Sequence, residues 1–333
     1  MRILIATDAW LPQTNGVVST LKQTVAHLQR RGHEVELLTS EQFSTFACPG
    51  YGEIRLAVGV QAGVLRQFDR FLPEAVHIAT EGPIGLAVRS FCRKHGLRFT
   101  TSYHTKFPQY LRQRLPVPVS FSYALLRWFH RAGERCMVST PSMQNELEGR
   151  GFRNIVRWRR GVDADLFQPR DKTWLALPRP VAVYVGRLAV EKNLDAFLGM
   201  TWHGSKLVVG DGPERARLEQ QYPQAHFVGY RHGEDLARHV AAADVMVFPS
   251  LTDTFGLVNL EAMACGVPVA AYPVTGPVDV IEDGVTGALD RDLATAAARA
   301  LRSSPSACRE WAKRYSWASC TAEFEAHLAP SGL

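Results

Sequence analysis

Long apolar runs are missing from this 333-residue sequence: no uninterrupted stretch approaches the roughly 18 residues of a bilayer-crossing helix, so no membrane span is expected. The opening MRILIATDAW has one Arg, a short apolar run and then Asp8, which is not a secretory signal. Cysteine is sparse. The six cysteines, at 48, 92, 136, 265, 308 and 320, form no CxxC pair. That pattern argues against a zinc or thioredoxin-like site and fits reduced thiols in a cytosol. No GxGxxG follows the first strand, which counts against a dinucleotide-dependent dehydrogenase. No Asp-x-Asp metal site is visible at the end of a strand read below, no residue-level repeat is visible, and low-complexity tracts are absent. What remains is an ordinary globular composition, 46% hydrophobic and 21% charged, long enough for two domains.

Acidic residues are missing from one long stretch. Between Glu81 and Glu134 there are none, whereas nine Lys and Arg occur there. Residues 1–163 carry a net +10 and residues 164–333 a net −4. A basic half of this kind attracts phosphate-bearing surfaces, either lipid or nucleic acid. A nucleic-acid-binding protein is therefore one reading, but no recognition module accompanies the charge.

Two rounds of one pattern run along the chain. Apolar runs at Arg2–Ala6, Val35–Leu38, Ala75–Ala79 and Met137–Ser139 alternate with helical spacing, as in a parallel sheet wrapped by helices. Val18, Leu21, Val25 and Leu28, stopped by Gly32, predict the first helix; Pro83 to Gly96 predicts another. The second half repeats the scheme with strands Val181–Val185, Leu207–Val209, Phe227–Val228, Val245–Phe248 and Val267–Ala271. RGVDADLFQPRDK, from residue 160, reads as a linker. The expected division is 1–163, 164–308 and a terminal helical segment, 309–333, crossing back to the N-terminal domain. Ligand sites belong at the carboxyl ends of the strands, in a cleft between two such domains.

Several residues could carry the chemistry there. Gly16 opens the first helix and would let backbone amides approach a phosphate, although Asn-Gly is also a common turn. Arg187 and Lys192 follow the strand Val181–Val185, where they could clamp a pyrophosphate or stand as surface charges on a solvated loop. An exposed Arg187 would add little to folding. Asp253 and Glu261 flank Phe255-Gly256-Leu257. Glu261 lies among Leu260, Ala262 and Met263, where an unpaired carboxylate is costly; ribose hydroxyls would supply donors.

With those motifs in place, the chain resembles the retaining, nucleotide-sugar-dependent glycosyltransferases of family 4. MRILIATDAWLPQTNGVVSTL, YHTKFP, RGVDADLF, VGRLAVEKNLD, VGDGPER, HFVGY and TDTFGLVNLEAMACG carry the likeness, and the last block is the most specific. The resemblance implies an α/β GT-B fold of two facing Rossmann-like domains. It places Gly16, Arg187 and Lys192 at the donor diphosphate, Phe255, Gly256, Leu257 and Asp253 at the hexose, Glu261 at the ribose, and His104 beside the transferred sugar. The usual first glutamate of the Glu-x7-Glu pair is Asp253 here, and the usual glycine pair is reduced to Asn15-Gly16. Within the family the likeness is greatest to bacterial glycolipid mannosyl-, glucosyl- or sulfoquinovosyl-transferases. It implies transfer from a UDP- or GDP-sugar with retention and neither cofactor nor metal. An epimerase or a phosphorylase shares this fold, but no motif for a pyridoxal-phosphate lysine is found.

Segment 106–131 interleaves Lys106, Arg112, Arg114, Arg127 and Arg131 with Phe107, Tyr110, Phe121, Tyr123, Trp128 and Phe129. Pro116 and Pro118 rule out one continuous helix, so a loop followed by a helix from about Ser120 is expected. The cations and Trp128 could meet anionic lipid, or the aromatics could belong to the core. The expected location is cytoplasmic, peripheral on the inner face of the membrane, with a lipid or lipid-linked acceptor; a soluble acceptor is the alternative.

Overall fold

The computed structural model describes residues 1–48, 51–114 and 117–333, without the side chains of residues 48, 51–54, 113 and 114. Pro116 and the Arg114 side chain, singled out above, lie outside the described residues. The chain divides into two compact units, one of Met1–Arg159 with Trp317–Leu333, the other of Arg160–Ser316.

The first unit is built on strands β1 (Arg2–Ala6), β2 (Glu34–Leu38), β5 (Ala75–Ile78), β6 (Thr100–Ser102), β7 (Arg135–Val138) and β8 (Ile155–Arg157). An antiparallel hairpin, β3 (Thr45–Cys48) with β4 (Tyr51–Ala57), stands apart from that sheet. The sheet order is β2-β1-β5-β6-β7-β8 and every pairing in it is parallel. The order reverses between β1 and β5, which opens a crevice at their carboxyl ends. Helix Gly16–Arg30 starts there because the Asn15 side chain accepts from the backbone N–H of Val17 and of Val18, each at 3.0 Å.

The second unit repeats the arrangement with β9 (Val181–Val185), β10 (Ser205–Val209), β11 (His226–Gly229), β12 (Val245–Phe248), β13 (Val269–Ala271) and β14 (Gly287–Leu289). Its order is β11-β10-β9-β12-β13-β14, reversing between β9 and β12. Alternate residues feed opposite faces: Val181, Val183 and Val185 enter one core, Ala182 and Tyr184 the other. That two-sided burial is why these strands read as unbroken apolar runs.

Two readings change. The stretch expected to be a linker is part of the second unit, with Val162 and Phe167 buried in its core. The segment after His104 forms two helices, Phe107–Arg114 and Val119–His130, instead of a loop and one helix. The tail splits between the units. Helix Pro305–Ala312 lies in the second, while Trp317–His327 packs in the first, where the Phe324 ring lies tilted against Trp158 with centroids 4.8 Å apart and Glu325 pairs with Arg31 at 2.6 Å.

Candidate active site

In the second unit the loops after β9 and β12 meet at the strand-order reversal. Gly210, after β10, lies close against the start of the β9 loop, since a Cβ there would stand 1.9 Å from the carbonyl oxygen of Gly186. Asn193 Nδ2 donates to the Pro249 carbonyl at 3.1 Å and ties the two loops together. Lys192 Nζ donates to both carboxylate oxygens of Asp253 at 2.8 Å. Burial acts to raise the Asp253 carboxyl, but Lys192, with Ser250 and Arg187, holds the group below its ordinary value. Arg187 pairs one helical turn ahead with Glu191, whose side chain is buried. Sequence spacing placed the two cations on this loop; it did not show that each faces a carboxylate.

Gly256 caps the helix Leu257–Ala264 with φ +81°, a conformation that L side chains resist, and a Cβ there would come within 2.5 Å of Asn259 Nδ2. Phe255 is buried and meets Tyr315 edge-on. Glu261 lies on the next turn, and its carboxylate has no hydrogen-bond or ion-pair partner among the described residues. Desolvation pushes it up to about 7. An unpartnered, desolvated carboxylate is suited to accept from ligand hydroxyls.

In the first unit, Gly16 follows β1 and His104 follows β6, with β5 between those strands. His104 is partly buried, its ring edge-on to Trp158 at 5.7 Å. Trp158 is held by its indole N–H, which donates to the Cys320 carbonyl at 3.1 Å. Sequence reading passed over Asp8, at the β1 end of the crevice. Its carboxylate caps helix Pro83–Lys94 by accepting from the Ile84 N–H at 2.9 Å, and burial raises its carboxyl. His130 was passed over as well: it is wholly buried between Glu81 Oε1 at 3.0 Å and Thr101 Oγ1 at 2.9 Å. An acidic residue two positions beyond the first strand was the available signal for Asp8; nothing in the sequence paired Glu81 with His130.

Comparison with known proteins identifies the family and the fold. Residues 14–166 match the model of Glycosyltransferase Family 4, and residues 179–304 that of Glycosyl transferases group 1. A GDP-mannose-dependent alpha-mannosyltransferase of Mycobacterium tuberculosis is 31% identical over 87% of this chain and 83% of its own length. The chain belongs to glycosyltransferase family 4. A sulfoquinovosyl transferase of Arabidopsis thaliana, SQD2, is 28% identical to this family 4 glycosyltransferase over 83% of the chain and 60% of its own. Among solved structures, sucrose-phosphate synthase of Thermosynechococcus elongatus superposes with a TM-score of 0.81 at 21% identity, covering 98% of this chain and 97% of its own. HepE of Anabaena, in complex with UDP and glucose, superposes at 0.74 and 18%, covering 98% of each chain. The fold of this family 4 glycosyltransferase is GT-B, and the enzyme is a transferase that uses nucleotide sugars.

The basic segment of the glycosyltransferase separates into two faces. On Val119–His130, Phe121, Leu125 and Trp128 are exposed at helical spacing, with Ala124 between them, while Tyr123, Leu126 and Phe129 face the core. Arg112, Arg127 and Arg131 are exposed as well. The stacked guanidinium of Arg89 lies 3.7 Å over the Trp128 ring. Lys106 does not belong to this surface: it is buried, and its Nζ donates to Glu146 Oε2 at 2.8 Å. A cation that near a strand end is consumed by an internal ion pair, which spacing alone cannot reveal. Among the described residues no helix is long and apolar enough to cross a membrane.

Proposed function

We propose that this glycosyltransferase transfers mannose from GDP-mannose to a hydroxyl of a membrane lipid or lipid-linked sugar, with retention to give an α-glycoside and without metal or cofactor. The bond from the anomeric carbon to the departing phosphate oxygen breaks as the acceptor oxygen bonds on the same face, and the acceptor proton passes to that phosphate oxygen. The protein's work is electrostatic and positional. Arg187 and Lys192 neutralise the diphosphate, the backbone at Gly16 approaches it, and Glu261 accepts from the ribose hydroxyls. Phe255, Gly256, Leu257 and Asp253 hold the hexose, and His104 lies at the acceptor oxygen.

The observation that carries the donor reading is the unpartnered Glu261 carboxylate in the same β12-to-helix segment as Asp253, which Lys192 reaches. Three relatives named GDP-mannose-dependent, at 28–31% identity, favour guanosine and mannose. The lipid acceptor rests on the exposed stripe Phe121, Leu125 and Trp128 with its flanking arginines, a surface suited to the headgroup region of an anionic leaflet. The enzyme would then work from the cytoplasmic face of the membrane, and nucleic acid has no part in the reading.

The test is transfer of labelled mannose from GDP-mannose in the presence of a bacterial lipid extract. The label should enter the solvent-extractable lipid fraction, with EDTA causing no loss. Transfer from UDP-glucose alone overturns the donor; label confined to water-soluble products overturns the acceptor and favours a soluble glycan.

A further inference from the structure

The Lys106 ion pair belongs to a larger cluster. While Glu146 Oε2 accepts from Lys106, its other oxygen accepts from the Tyr123 hydroxyl at 2.9 Å, and Tyr123 in turn accepts from Gln109 Nε2 at 2.9 Å. Arg150 stacks 3.8 Å over the Tyr123 ring, with its Nε 3.7 Å from Glu146 Oε1. One carboxylate therefore joins three segments: the loop after β6 that carries His104, the helix Val119–His130, and the helix Pro141–Gly149 on which Glu146 stands. A largely buried ion pair is costly to leave half-made, so these segments move together or not at all. Tyr123 is on the inward side of the helix whose outward side bears Phe121, Leu125 and Trp128.

We propose that Glu146 is a positioning residue that couples the outward face of Val119–His130 to the His104 loop, so that docking this face on an anionic bilayer orders residues 103–107. The proposal rests on the lipid-facing reading of that helix. It explains why a lysine two residues beyond His104 is spent inside the protein, and it makes the acceptor-side loop responsive to the surface that presents the acceptor.

Hydrogen exchange of the full chain tests it, with vesicles of phosphatidylcholine and phosphatidylglycerol as the probe and co-sedimentation as a parallel measurement. In the free protein, Glu146→Gln and Lys106→Met should each speed exchange at 103–107 by about fivefold, the scale of one lost hydrogen bond, with the second unit unchanged. Vesicles should slow exchange in both 103–107 and 119–131 of the wild type, but only in 119–131 of the variants. Tyr123→Phe, which removes a single hydroxyl, gives the same readout should the charge variants fail to fold. Wild-type protein that co-sediments while 103–107 is unaltered overturns the coupling alone, as do variants that transmit protection like the wild type. Wild-type protein that does not co-sediment overturns the lipid-facing reading itself.

Discussion

Lys192 Nζ lies 2.8 Å from each carboxylate oxygen of Asp253, so the cation expected at the donor diphosphate is already bound to the carboxylate expected at the hexose. The two loops that bear them leave adjacent strands, β9 and β12, at the reversal of strand order. A diphosphate bound as proposed would share Lys192 with Asp253, and the two proposed donor subsites would then form one electrostatic unit.

Asp253→Asn should therefore release Lys192. We expect GDP affinity to be kept or to rise up to about tenfold, because the competing anion is gone, while turnover falls with the sugar contact. Isothermal titration with GDP and steady-state rates check this. A loss of GDP affinity as large as that in Glu261→Gln would assign Asp253 to the nucleotide.

Arg187→Ala carries a folding cost that an exposed loop cation would not. It removes a partner of the buried Glu191, at about 2 kcal/mol for a bond to a charged group. A lower Tm together with a loss of turnover of about a hundredfold is expected. Lys192→Ala should lose comparable turnover. Normal turnover in both variants would remove the pair from the donor site.

Glu261 predicts a pH dependence. Its carboxyl is raised from 4.5 to about 7 in the folded protein, so the penalty is absent below the unfolded value and complete above about 7. Glu261→Gln should raise Tm at about pH 8 and change it little at about pH 5. Ribose hydroxyls favour the ionised carboxylate, so wild-type GDP affinity should strengthen from about pH 6 to pH 8 more steeply than in the variant, where only the terminal phosphate of GDP titrates. An affinity that weakens over that range in the wild type contradicts the ribose contact.

Replacing Phe121, Leu125 and Trp128 by Ser should weaken vesicle binding by at least about tenfold per side chain, given the apolar area each can bury. Arg112, Arg114 and Arg127 changed to Gln should reduce binding mainly at low salt, at about 1 kcal/mol per charge. The Tm should hold for Phe121→Ser and Leu125→Ser, because those side chains are exposed, and fall for Trp128→Ser, whose ring stacks on the buried Arg89. Wild-type binding to anionic vesicles by both variant sets would sink the membrane face.

The hydrophobic pattern was enough to predict two parallel α/β sheets, because strands covered on both faces leave unbroken apolar runs such as Val181–Val185 and helices leave their own spacing. It was weaker for strands of three residues. Thr100–Ser102, Ile155–Arg157 and Gly287–Leu289 are too short to show a period and are recruited by their neighbours in the sheet. The linker reading of residues 160–172 failed for a related reason: Val162 and Phe167 are isolated apolar residues among charges, and only packing shows that they enter a core.

The candidate site divides in the same way. By itself the sequence determined which residue types stand on which loops, since strand ends and glycine turns are local features: Arg187 and Lys192 after one strand, Asp253 and Glu261 around the next turn and helix, His104 after a third. Only the tertiary structure decided which charges are spent on one another. Lys106 with Glu146, Lys192 with Asp253 and Glu81 with His130 are pairs 40, 61 and 49 residues apart. An ion pair depends on distance and burial in space, and neither quantity has a period along the chain.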